Sequence, residues 1–193
     1  MEPMESSDVK TVGDFARFVN NLALTTATES QRSMEEYLRA LLGLVEQHPQ
    51  DAPTFTLFAG LLGEAFTAEP AEFDRDWLNY TEPPLDYQSE DETVAIEKIG
   101  TGPDAEKENF QFLREMLWYQ IADLHLMQER GYFEKSPLML YMGVTSPTNN
   151  SWYNFSTESF LECAVASWDE NSQDSTCSWN DLKDLLWFGQ NYE

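Results

Sequence analysis

The sequence predicts a mainly α fold (α+β): duplicated helical hairpins around a long central helix, with one small β-hairpin or sheet. Three observations predict it. Apolar residues recur at helical spacing behind recognisable caps. The pattern Ser-x-Glu-x-aromatic-Leu occurs twice, at Ser33–Leu38 and at Ser156–Leu161. The longest apolar stripe, between Asp104 and Gly131, is also the widest, which marks a helix covered on more than one side.

Each element follows from its residues. Thr11 and Asp14 have capping-box spacing, and Val12, Phe15, Phe18, Val19 and Leu22 then share a helical face. Ser33 with Glu36 is a second box. It opens a helix with Met34, Tyr37, Leu38, Leu41, Leu42 and Val45 on its stripe. "HPQDAP" is a turn in which Asp51 serves as cap and Pro53 suits a first helical turn. A third helix follows, with Phe55, Phe58, Leu61, Leu62 and Phe66. "EFDRDWLNYTEPP" reads as a short helix or turn, stopped by Pro83 and Pro84.

Residues 82–108 form an acidic linker, with nine acids against two bases. "TVAIEKI" inside it could be a short strand. Phe110, Leu113, Leu117, Ile121, Leu124 and Met127 or Gln128 trace the central helix, widened by Trp118 and Tyr119. "LMLYMGV" and "WYNFS", separated by the turn cluster "SPTNNS", predict the β-hairpin. Ser156 caps the next helix, which holds Phe160, Leu161, Ala164, Val165 and Trp168. Ser178 and Asp181 open the last, with Trp179, Leu182, Leu185, Leu186 and Phe188. The organisation expected is an N-terminal helical unit over 1–81, the linker over 82–108, and a C-terminal part over 109–193, the whole being compatible with one compact domain.

The repeated motif is explained by a repeated helical hairpin. A shift of 123 positions lays Ser33 on Ser156, Tyr37 on Phe160 and Leu38 on Leu161. One more loop residue lays Phe55 on Trp179, Phe58 on Leu182, and Leu61 and Leu62 on Leu185 and Leu186. Duplication explains this, and so does the common requirement of any amphipathic helix pair. On both readings the repeated residues are apolar and capping types, which serve packing.

Composition narrows the function classes. The chain has 193 residues, 41% hydrophobic, with 12 Phe, 8 Tyr and 6 Trp. That is too aromatic for a disordered acidic tail. The 35 acids against 11 bases give a net charge of -24. Direct nucleic-acid binding is excluded, because it draws its affinity from Lys and Arg displacing phosphate counterions. A partner, if one exists, is basic; an acidic surface serving solubility alone is the competing reading. "MEPMESSDVK" lacks the basic and apolar regions of a signal peptide. No apolar run nears the ~20 residues of a membrane span. Cys163 and Cys177 fit free thiols in a reducing compartment. The expectation is a cytoplasmic protein without membrane attachment.

The stretch "WYNFSTESFLECAVASW … SWNDLKDLLWFGQNYE" carries a resemblance. Its Trp152, Asn154, Phe160-Leu161-Glu162, Trp179 and Tyr192-Glu193 are similar to those of a small uncharacterised bacterial domain. Such domains resemble the acidic immunity proteins found beside bacterial toxins. The resemblance covers roughly residues 138–193 and implies a protein-binding role.

Catalytic patterns are absent. His125 and Glu129 are four apart, but no second His completes a zinc-binding helix. His125, with Asp123 close by, is expected to be structural. Cys163 and Cys177 lack metal-ligand spacing. Glu72, Asp74 and Asp76 could gather around a divalent ion and support hydrolysis; a solvated edge beside Arg75 and Trp77 is the simpler reading. No nucleophile elbow or phosphate-binding glycine loop occurs. The expectation is therefore a non-enzymatic inhibitor without cofactor or metal. Two forms of it fit the charge: an immunity protein neutralising a toxin, or a DNA mimic of phage origin that occupies a DNA-binding or defence enzyme. Acids in polar segments claimed by no helix are the expected partner-binding residues: Glu90, Asp91, Glu92, Asp169, Glu170 and Asp174. Trp152 and Trp179 are expected to be buried anchors.

Overall fold

The computed structural model describes residues 4–78, 104–131, 156–168 and 176–190. Among these the fold is helical: α1 Val12–Leu22, α2 Met34–Val45, α3 Phe55–Glu64, α4 Ala105–Arg130, α5 Thr157–Ser167 and α6 Trp179–Gln190. Short 3-10 turns occur at Ser6–Asp8 and Arg75–Leu78. There is no strand among the described residues. The expected hairpin over 138–155 and the "TVAIEKI" strand lie outside them, as does Trp152.

The caps form as their residue types require. At α1 the Thr11 hydroxyl accepts from the Asp14 amide and the Asp14 carboxylate accepts from the Thr11 amide, both at 3.1 Å. Ser33 and Glu36 make the same reciprocal pair at α2, at 3.2 and 2.9 Å. Asp51 does not cap α3. Thr54 does, its hydroxyl accepting from the Leu57 amide at 3.0 Å, while Asp51 pairs with His48 in the preceding turn. Thr54 wins because it is the residue directly before the first helical position, which the Ncap geometry demands. Pro53 consequently precedes the helix.

Ser156 caps α5 through the Ser159 amide at 3.1 Å. At α6 the Asp181 carboxylate reaches back to the Ser178 amide, and the Ser178 hydroxyl takes the Asn180 amide. The long helix α4 ends where expected. Gly131 has φ 74°, a left-handed conformation that suits glycine, and its amide donates to the Met127 carbonyl at 2.9 Å. Residues 105–108 of the anticipated linker are the first turn of this helix.

The central position of α4 follows from its faces. Leu113, Met116, Leu117 and Ile121 are fully buried, because α2 packs on one side of the helix and α6 on another. α3 packs on α1, and α5 packs on α1 and on α6. The equivalent residues of the two helical pairs are buried in both: Tyr37 and Phe160, Leu38 and Leu161, Phe55 and Trp179. Their neighbours differ. α5 and α6 pack chiefly on each other, whereas α2 leans on α4 and α3 on α1.

One continuous core joins the two ends of the chain. Trp168, at the end of α5, meets Phe15 of α1 edge-on with ring centroids 5.2 Å apart. Trp179, as expected, is buried, at 2% exposure. It sits between Phe58 of α3 and Phe110 of α4. Tyr37 packs on Phe66 and donates its hydroxyl to the Leu62 carbonyl at 3.0 Å, closing α2 onto α3.

Candidate protein-binding surface

Among the described cations Arg32, Arg39, Arg114 and Lys183 are drawn into the fold, while Lys10, Arg17, Arg75, Lys107 and Arg130 are exposed. Arg32 donates to the carbonyls of Ala65 and Ala68, both at 2.6 Å, and so satisfies backbone at the end of α3. Arg39 donates through Nε to the Ala71 carbonyl at 2.6 Å and lies 3.7 Å from Glu35. Arg114 bonds Glu46 from α4 to α2, at 3.0 Å, and rests over the Trp118 ring. Arg17 pairs with Asp14, and Arg75 lies 3.5 Å from Glu129. Lys183 is buried, 2.8 Å from Asp184 with its ammonium over the Phe112 ring.

The exposed acids are far more numerous. Glu36, Glu46 and Asp51 are exposed along and after α2. Glu64, Glu69, Glu72, Asp74 and Asp76 are exposed along the end of α3 and the segment that follows. Asp104, Glu106 and Glu108 are exposed at the start of α4. Only Glu35 and Asp123 are buried among the described carboxylates. Arg32 and Arg39 can turn inward because a guanidinium brings a long apolar stem and several donors, so it satisfies backbone carbonyls while covering apolar surface. A short carboxylate, mostly an acceptor, gains little from burial unless a donor meets it.

Glu72, Asp74 and Asp76 do not form a metal-binding group. All three are exposed, and the Asp74 carboxylate accepts from the Asp76 amide at 2.9 Å. Among the described residues no three His, Cys, Asp or Glu side chains converge as a ligand set. The cysteines are free thiols. Burial, with Asp181 and Glu106 near, pushes Cys177 up to about 12. Burial and Glu162 also push Cys163 up. A thiol held protonated in this way is a poor nucleophile. No helix among the described residues is long and apolar enough to cross a membrane. Glu90, Asp91, Glu92, Asp169, Glu170 and Asp174 lie outside the described residues.

The structure also assembles a group that spacing alone does not reveal. His125 lies between Glu35 of α2 and Glu129 of its own helix, with the Phe73 ring stacked on it at 3.9 Å. The Glu129 contact is legible as an i, i+4 pair. Glu35 is not, because it comes from another helix. Comparison of the chain with family models, with curated proteins and with solved structures gives no match.

Proposed function

We propose that this protein acts by binding, as a non-enzymatic acidic inhibitor that covers a basic site on a partner protein. The partner in this reading is a toxin and the protein its immunity protein, working in the cytoplasm. One observation carries the proposal: among the described residues exposed carboxylates far outnumber exposed Arg and Lys side chains, on a chain of net charge -24. Such a surface steers a cationic partner and repels anionic ones. The similarity of residues 138–193 to acidic immunity-type domains points the same way.

Glu90, Asp91, Glu92, Asp169, Glu170 and Asp174 are the acids assigned to the contact. The test begins with affinity capture of a partner from the source cells and reconstitution of the pair from purified proteins. A variant with all six changed to Asn or Gln should associate more slowly while dissociating at a similar rate. The difference should shrink as salt brings the screening length to about 8 Å. An unchanged association rate at low salt would remove these six residues from the contact. A partner without a basic surface, or wild-type association indifferent to salt, would overturn the whole reading. If the partner is a DNA-binding enzyme and duplex DNA competes for it, the protein is a DNA mimic instead.

A further inference from the structure

We propose that the polar side chains between α4 and α6 form a docking code, which seats the last helix on the central helix and tells it apart from α3, the helix it resembles. The alignment that lays Phe55 on Trp179 also lays Ala59 on Lys183 and Phe66 on Gln190. All of these residues are buried. The two copies agree in their apolar stripe, and at these two buried positions they part, apolar in one and polar in the other. Both polar residues face α4. The Lys183 ammonium lies 5.2 Å from the centre of the Phe112 ring, and Gln190 Oε1 accepts from Gln120 Nε2 at 2.9 Å. The same Gln120 amide donates to the Leu186 carbonyl at 3.3 Å. Phe66, the counterpart of Gln190, packs on Tyr37 instead.

The helix starts differ in the same way. Thr54 caps α3 from within its own turn. Ser178, its counterpart, takes the Asn180 amide, while the Trp179 amide goes to Glu106 of α4 at 3.0 Å. Asn109, buried and on the same helix, holds that carboxylate through Nδ2 at 3.3 Å. The contacts thus run in step along both helices: Glu106 with Trp179, Phe112 with Lys183, Gln120 with Gln190. An apolar stripe alone chooses weakly among apolar seats, because dispersion and burial are non-directional. On any other seat the Lys183 ammonium and the Gln190 amide would be buried without these partners, at the cost of their lost hydration. The contacts do not maximise stability. Gln120 Oε1 and Asn109 Oδ1 are buried with no hydrogen-bond partner among the described residues. Discrimination between arrangements, at some expense of stability, is the best-attested use of such buried polar groups.

The test replaces the glutamine pair by methionine, which matches glutamine in length and carries no amide. In Gln190→Met the Gln120 amide loses one acceptor, so the unfolding constant from urea titration should rise several-fold. Adding Gln120→Met should reverse that rise, because an apolar pair needs no partners. The double variant should then be as stable as wild type but no longer unique. The amides of Leu182, Leu185 and Leu186 should give several sets of NMR signals, or signals broadened by exchange, where wild type gives one sharp set. A single sharp set in the double variant would show that the apolar stripe seats α6 unaided, and would overturn the proposal. So would a second methionine that deepens the loss caused by the first, up to failure to fold, since the pair would then be a stabilising contact and not a selective one.

Discussion

The indole of Trp179 lies 5.2 Å from the ring of Phe58, centroid to centroid, so the first residue of the last helix packs on the middle of the third. The same indole meets Phe110 at 5.0 Å, near the start of the central helix. A core aromatic shared by three helices links their stabilities. Trp179→Ala should cost about 3–5 kcal/mol. Because the contact crosses from one end of the chain to the other, the loss should lower a single cooperative transition in circular dichroism. A variant in which only part of the helical signal melts early would show that the ends fold independently.

Gly189 provides a packing test with an internal control. A Cβ there would sit 2.7 Å from Cε2 of the fully buried Phe160, and a ring that is packed on every side has nowhere to retreat. Gly189→Ala should destabilise by about 1–3 kcal/mol. Gly60, in the interior of α3, has nothing within 4 Å of the same added atom. Gly60→Ala should therefore stabilise, by about 0.4–1 kcal/mol. Opposite shifts in urea midpoint are the expected result; shifts of the same sign would refute the packing described for α5 against α6.

Tyr37 tests a single buried hydrogen bond. Burial raises its hydroxyl above the ordinary tyrosine range, so the group remains a donor to Leu62. Tyr37→Phe preserves the contact with Phe66 and leaves the Leu62 carbonyl without that donor. The cost should be about 1–3 kcal/mol, the penalty of a buried unsatisfied acceptor. Chemical denaturation would detect it; no loss would mean that another donor reaches this carbonyl.

The capping carboxylates predict an acid-side dependence. Hydrogen bonds from Thr11 hold Asp14 below the usual carboxylate range, and those from Ser33 do the same for Glu36. A carboxylate lowered by folding contributes its stability above the unfolded value, and that contribution is lost as pH falls through the folded one. The double variant Asp14→Asn, Glu36→Gln should therefore be less stable than wild type at neutral pH and converge on it below about pH 4. Relief of self-repulsion at acid pH acts on both proteins alike and drops out of the difference. A gap that persists undiminished at acid pH would assign the effect to side-chain shape.

Much of the architecture was decided locally, and such decisions are legible. Thr11 with Asp14 and Ser33 with Glu36 mark helix starts because an Ncap hydroxyl and a third-position acid satisfy each other's backbone within one turn. The stripes through Tyr37, Leu38, Leu41 and Leu42, and through Phe110, Leu113, Leu117 and Ile121, state which face must be buried before any partner is known. Gly131 ends the long helix by its own conformational freedom. The excess of acids over bases needs no fold at all to be read.

The tertiary structure decided which surfaces those stripes meet. Glu106 illustrates it. In sequence it is an acid in the first turn of a helix; in space its carboxylate accepts the Trp179 amide at 3.0 Å and caps a helix that begins 73 positions later. Glu35 resembles Glu36 in sequence, yet one is buried beside His125 and the other exposed in its capping box. The two helical pairs share their apolar positions but not their neighbours, since a stripe specifies burial and not the burying face. Periodicity encodes interactions within about one turn. Partners dozens of residues apart are chosen only when the helices dock, by the shape and charge of the surfaces that docking brings together.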